Sequence, residues 1–142
     1  MSDNSKIVKA CRLAYTGFEK NQREPLLALL SEDVVFEFPK SLPYGGVYRG
    51  LKEFKAFWAD LYDNYYEYFN YDARAVLDAG SHVVVPVVAR ALGKNGRTME
   101  NEHCFLFEIK DGKIVYGRIY ADTAKGRDIL QGMVLHPSKA SG

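Results

Sequence analysis

A chain of 142 residues is long enough for one core that buries about 70% of its unfolded surface, so no stapling by disulfides or metal is required. Lysine and arginine number 19 against 18 aspartate and glutamate, and they are scattered, which excludes the basic stripe that nucleic acid or an acidic membrane surface demands. Cys11 and Cys104 have neither CxxC nor metal-ligand spacing and fit a reducing compartment, MSDNSKIVK holds no apolar signal core, and no run approaches the roughly 20 apolar residues of a membrane span. These features predict a soluble, cytoplasmic protein of one domain over residues 1–142. Aromatic residues make up 13% of the chain, a surplus that builds either a thick core or the wall of an apolar cavity.

Ile7, Cys11, Ala14, Tyr15 and Phe18 recur at helical spacing and predict an amphipathic helix over residues 5–20. Asn21 followed by Glu24 resembles a capping box, with Pro25 in a first helical turn, and opens a second, short helix, PLLALLSED. Residues 34–38 alternate as a short strand that Pro39 ends, and KSLPYGGVYRG, dense in Pro and Gly, reads as a loop. Leu51, Phe54, Phe57 or Trp58, Leu61, Tyr62 and Tyr65 mark a third helix after Gly50. A strand over residues 69–79 turns at Gly80-Ser81 into HVVVPVVARAL, where Pro86 predicts a bulge or an edge. Asn95-Gly96 is a hairpin signal, and the chain closes on a short helix, TAKGRDILQG, with a polar tail from about residue 133 that is expected to be loose. Three helices interleaved with a short strand, then four long antiparallel strands, specify an α+β domain with helices on one face of a curved sheet.

The organising stretch is RTMENEHCFLFEIKDGKIVYGRIYAD, residues 97–122, two strands about one turn. A three-residue loop, Lys110-Asp111-Gly112 with glycine in the left-handed region, pairs Phe107 with Val115, Phe105 with Gly117 and His103 with Ile119. One face then carries Ile109, Phe107, Phe105, Val115, Gly117, Ile119 and Ala121 with His103 among them, and the other carries Glu102, Glu108, Tyr116, Arg118 and Tyr120. A two-residue loop at Asp111-Gly112 instead pairs Phe107 with Tyr116 and His103 with Tyr120, so the faces depend on the turn.

The order of elements, the ALLSEDVVFEFP segment, the LPYGGVYRG loop before a helix and the FEIKDGKIV hairpin resemble the NTF2-like superfamily, and within it the SnoaL-like, ketosteroid-isomerase-related proteins. The resemblance spans residues 7–132. It implies a cone in which a curved, mixed but largely antiparallel sheet wraps around helices and encloses a deep apolar pocket, and a homodimer through the other sheet face. It also implies a small hydrophobic ligand and cofactor-free acid/base isomerisation, dehydration or cyclisation, or else a binding or carrier role without chemistry. Residue by residue the carry-over is incomplete. The position of the isomerase carboxylate base is Phe38, before Pro39, and the last-strand aspartate of the cyclases and epoxide hydrolases is Ile119. The Arg and Asp two apart on the third strand of the hydrolases are absent from HVVVPVV, the oxyanion-donor position is His103, and the helix phenol falls on Ala14, next to Tyr15.

His103, Tyr15, Asn101 and Asp122 are therefore the candidate catalytic residues, and Phe36, Phe38, Tyr44, Phe54, Trp58, Phe105 and Ile119 the candidate ligand wall, with no metal or cofactor. A histidine among phenylalanines is desolvated and held neutral, fit to polarise a carbonyl or shuttle a proton, or it is a core histidine satisfied by a neighbour. Asp122 is either a pocket residue or the N-cap of TAKGRDIL. Asn101 either orients the imidazole or binds a ligand oxygen, unless it sits at the strand's exposed end. Glu37 points away from Phe36 and Phe38, toward solvent or an interface.

Overall fold

The structure is a computed structural model that describes residues 4–131; the expected loose tail lies outside the described residues. Its elements are α1 (Ser5–Tyr15), α2 (Glu24–Leu27), β1 (Leu30–Phe38), β2 (Gly46–Arg49), α3 (Leu51–Asp60), β3 (Tyr66–Ala73), β4 (Leu77–Asp78), β5 (His82–Gly93), β6 (Thr98–Lys110), β7 (Lys113–Ala121) and α4 (Thr123–Asp128). The strands form one open sheet in the order β2-β1-β7-β6-β5-β3, with β4 also on β5. Among the described residues only β1 and β7 run parallel, so the sheet is mixed as expected. α1 buries Ile7, Ala10, Cys11 and Ala14, one stripe at helical spacing, and packs beside α2, β3 and β5, while α3 lies over β1 and β2.

The central hairpin differs from its predicted register. Asp111 and Gly112 both take positive φ, 52° and 73°, as the two-residue type I′ turn requires. Ile109 accordingly faces Ile114, but a bulge then intervenes and Glu108 faces Tyr116, leaving Val115 as the extra residue. The bulge restores the parity that the shorter turn had changed. Phe107 pairs with Gly117, Phe105 with Ile119 and His103 with Ala121, so the predicted faces stand although each partner is two residues off. Ile114, not Val115, is the buried member of the set.

Other differences trace to specific contacts. The capping box does not form, because the Asn21 side chain accepts from Tyr71 N–H at 2.8 Å and donates to Tyr71 C=O at 3.0 Å, standing in for a neighbouring strand along β3. α2 stops at Leu27, and β1 begins already at Leu30, since Leu30 pairs with Ile114 across the sheet. The Pro/Gly loop contains β2, and its return is so tight that a Cβ on Gly45 would lie 1.9 Å from Pro39 O. The third helix ends at Asp60 and continues as one π turn, Leu61–Tyr65. Pro86 interrupts no ladder to β6, where it pairs with Cys104. Its C=O accepts from Arg74 N–H, so its missing N–H faces the gap between β3 and β4.

The concave face carries Phe69, Tyr71, Val85, Val87, Ala89, Phe105, Phe107 and Ile119, all buried against the helices. Gly117 is required there, since Phe36 lies across it and an added Cβ would come within 2.4 Å of that ring. The opposite face holds Glu37 bonded to Tyr116 and Arg118, Arg90 paired with Glu100, and Tyr120 half exposed under Arg118.

Candidate ligand-binding site

His103 enters the cone because β6 carries it on the same side as Phe105 and Phe107. Its ring lies 5.7 Å from Phe69, 6.1 Å from Tyr71 and 6.3 Å from Phe105, centroid to centroid. Burial lowers its pKa to about 4, so the imidazole is neutral near pH 7, with one ring nitrogen donating and the other accepting. Nδ1 is buried with no hydrogen-bond partner. An unpaired buried polar atom costs about 1–3 kcal/mol, and a ligand oxygen or N–H placed there would recover it.

The void beside this ring is small, about 20 Å³, lined by Phe38, Leu42, Tyr44, Trp58, Leu61, Phe69, Tyr71, Phe105, Ile119 and Ala121. A second void of about 40 Å³ lies between Tyr15, Arg23, Leu26, Leu27, Leu30, Phe36, Phe54 and Trp58. These volumes admit about one to three waters, so among the described residues the expected deep pocket takes the form of two small, ring-lined chambers. Trp58 borders both. Larger hollows of about 600 and 430 Å³ are open surface grooves. One lies along Lys9, Arg12, Lys20 and Arg74, and the other along Arg74, Pro86, Glu102, Cys104 and Tyr120, with His103 also among its lining residues.

All seven wall residues named from sequence line one chamber or the other: Phe38, Tyr44, Phe105 and Ile119 that of His103, Phe36 and Phe54 the second, Trp58 both. Tyr44 is buried and shares a hydrogen bond with Tyr66 at 2.9 Å, which fixes it as part of the wall. Tyr15 reaches the second chamber, stacked on Phe105 at 4.6 Å, and burial raises its pKa well above the ordinary phenol value. Asn101 is buried, but its amide donates to Asp122 C=O at 3.0 Å and accepts from Glu102 N–H, and it does not line the chambers. Asp122 is exposed and accepts from Ala124 and Lys125 N–H as the N-cap of α4, outside both chambers.

Sequence reading did not single out Arg23. It stands in the polar run Asn21-Gln22-Arg23-Glu24, which reads as exposed, and only tertiary packing folds it inward. Its guanidinium bonds Tyr62 OH and Phe69 C=O and lies 5.1 Å over Trp58, 5.8 Å over Tyr62 and 5.4 Å over Tyr71. The π turn after α3 carries the Tyr62 that meets it. Its Nε is buried without an acceptor, and among the described residues no carboxylate pairs with it.

Residues 12–117 match the SnoaL-like domain. The chain belongs to the SnoaL-like family. Its fold is shared with an NTF2-like protein of unknown function from Burkholderia pseudomallei K96243, 25% identical with a TM-score of 0.78 over 93% of this chain and 100% of that one. It is similar to a putative SnoaL-like polyketide cyclase from Jannaschia sp. CCS1, 16% identical, TM-score 0.73, over 94% and 98% of the two chains. A ketosteroid-isomerase-like protein from Catenulispora acidiphila DSM 44928, in complex with trimethylamine, is 17% identical with a TM-score of 0.67 over 87% and 90%. Among curated proteins no match to the sequence was found. This SnoaL-like cone is a small-molecule-binding fold, and Phe38 and Ile119 both line the His103 chamber as apolar groups.

Proposed function

We propose that the protein takes a small, largely hydrophobic molecule into the cone and polarises one of its carbonyl groups through His103. Cofactor-free isomerisation, dehydration or cyclisation is the reaction class. The observation that supports this is the neutral imidazole with an orphaned Nδ1 beside a ring-lined void. With a pKa of about 4 the ring is a weak base, so its work is hydrogen-bond donation to a developing oxyanion rather than proton abstraction. The half-buried Trp58 divides the chambers, and its displacement by the ligand joins them into one pocket.

A binding or carrier role without chemistry is the second reading, favoured by the lack of any carboxylate among the described residues that line the chambers. The two readings separate in one experiment. Wild type and His103→Gln are compared on a panel of hydrophobic ketones, enones and polyketide-like compounds, with binding by calorimetry and turnover by chromatography. Turnover lost while binding persists supports catalysis, and binding without turnover in either protein supports the carrier. No binding by wild type to any compound defeats both. We further propose a homodimer through the convex face, where Val84, Pro86, Val88, Leu106 and Tyr116 are half-buried among ion pairs, and a cytoplasmic setting in which Cys11 and Cys104 stay reduced.

A further inference from the structure

Arg23 is a cation in a chamber whose other walls are aromatic and aliphatic, and such a cation calls for an anion. A guanidinium carries five N–H donors. Two are engaged, by Tyr62 OH and Phe69 C=O, while the Nε–H is buried and unanswered. The rings of Trp58, Tyr62 and Tyr71 hold the positive charge by their faces but accept no in-plane hydrogen bond, so the fork stays open to a carboxylate or enolate oxygen. The 40 Å³ chamber that Arg23 borders has room for such a head group alone, and the body of the molecule must extend past Trp58.

We propose that the ligand of the cone is an apolar acid bearing a ketone, its carboxylate seated on Arg23 and its carbonyl on His103. This rests on the pocket reading above and adds the charge of the substrate to it. Tyr71 sets the scale. Its ring centroid lies 5.4 Å from the Arg23 guanidinium carbon and 6.1 Å from the His103 centroid, so the two polar stations are no further apart than those distances laid end to end. A skeleton of one or two rings spans that gap, lying against Phe36, Phe54, Trp58 and Phe105. The open grooves on the outside are less suited, because their basic groups are solvated and one of them, Arg74, already pairs with Glu102.

Three matched probes test this: para-benzoylbenzoate, which has carboxylate and ketone; its methyl ester, which has the ketone only; and para-benzylbenzoate, which has the carboxylate only. Binding is followed by calorimetry and by the fluorescence of Trp58, the single tryptophan, which lies between the two stations. At neutral pH the keto acid is expected to bind wild type about tenfold or more tighter than the ester, since a charge-assisted pair is lost in the ester. Arg23→Met should abolish that preference, and Arg23→Lys should restore part of it. His103→Gln should remove the advantage of the keto acid over the benzyl acid. Equal binding of keto acid and ester by wild type, measured without any variant, overturns the Arg23 assignment and leaves the apolar pocket standing. Binding of none of the three overturns both.

Discussion

Protonation of His103 makes a quantitative test of where the ring lies. An ordinary histidine titrates near 6.5 and this one near 4, so between those values the unfolded chain holds a proton that the folded chain refuses. Folding stability therefore falls as pH drops through that window and is fully present above it. Linkage puts the loss at about 1 kcal/mol at pH 6, about 2 at pH 5 and about 3 at pH 4, levelling off about one pH unit below that. Such a sum is a large part of the roughly 5–15 kcal/mol available to a domain. Carboxylates titrate in the same range, so the quantity to follow is the difference between wild type and His103→Gln in urea unfolding, measured from pH 7 to pH 4. Wild type should lose stability relative to the variant along that curve. A difference that stays flat with pH means that the imidazole sits in water, and refutes its placement inside the cone.

Gly117→Ala should destabilise by about 1–3 kcal/mol in the same unfolding assay, because the new methyl group meets the Phe36 ring at 2.4 Å and the core must give way. Asn21→Ala leaves both backbone groups of Tyr71 without their partner, for a loss of about 1–3 kcal/mol and faster amide exchange along β3. Asp122→Ala removes the cap of α4 and should cost about 1 kcal/mol without changing ligand binding, which distinguishes a cap from a pocket residue. A change in affinity beyond that loss of stability would return Asp122 to the site.

Periodicity and turn chemistry are local properties, and they carried far here. The inward stripe of α1, the β-branched run of β5 and the alternation of β6 could be read directly, and with them the α+β class, the order of the elements and the wall residues Phe36, Phe54 and Phe105. Even the side on which His103 stands was legible, although for a reason the sequence did not disclose: a shorter turn and a bulge at Val115 offset each other. That compensation lies in the pairing of β6 with β7, which no local pattern records. The same holds for Asn21, whose amide serves a strand 50 residues away, and for Arg23, which looks like a surface charge until Tyr62, Tyr71 and Trp58 close around it. Local pattern thus determined which apolar faces of α1, β5 and β6 turn inward. Only the packing of α2 and α3 against the sheet decided how little space remains between them and which polar groups are left there unpaired.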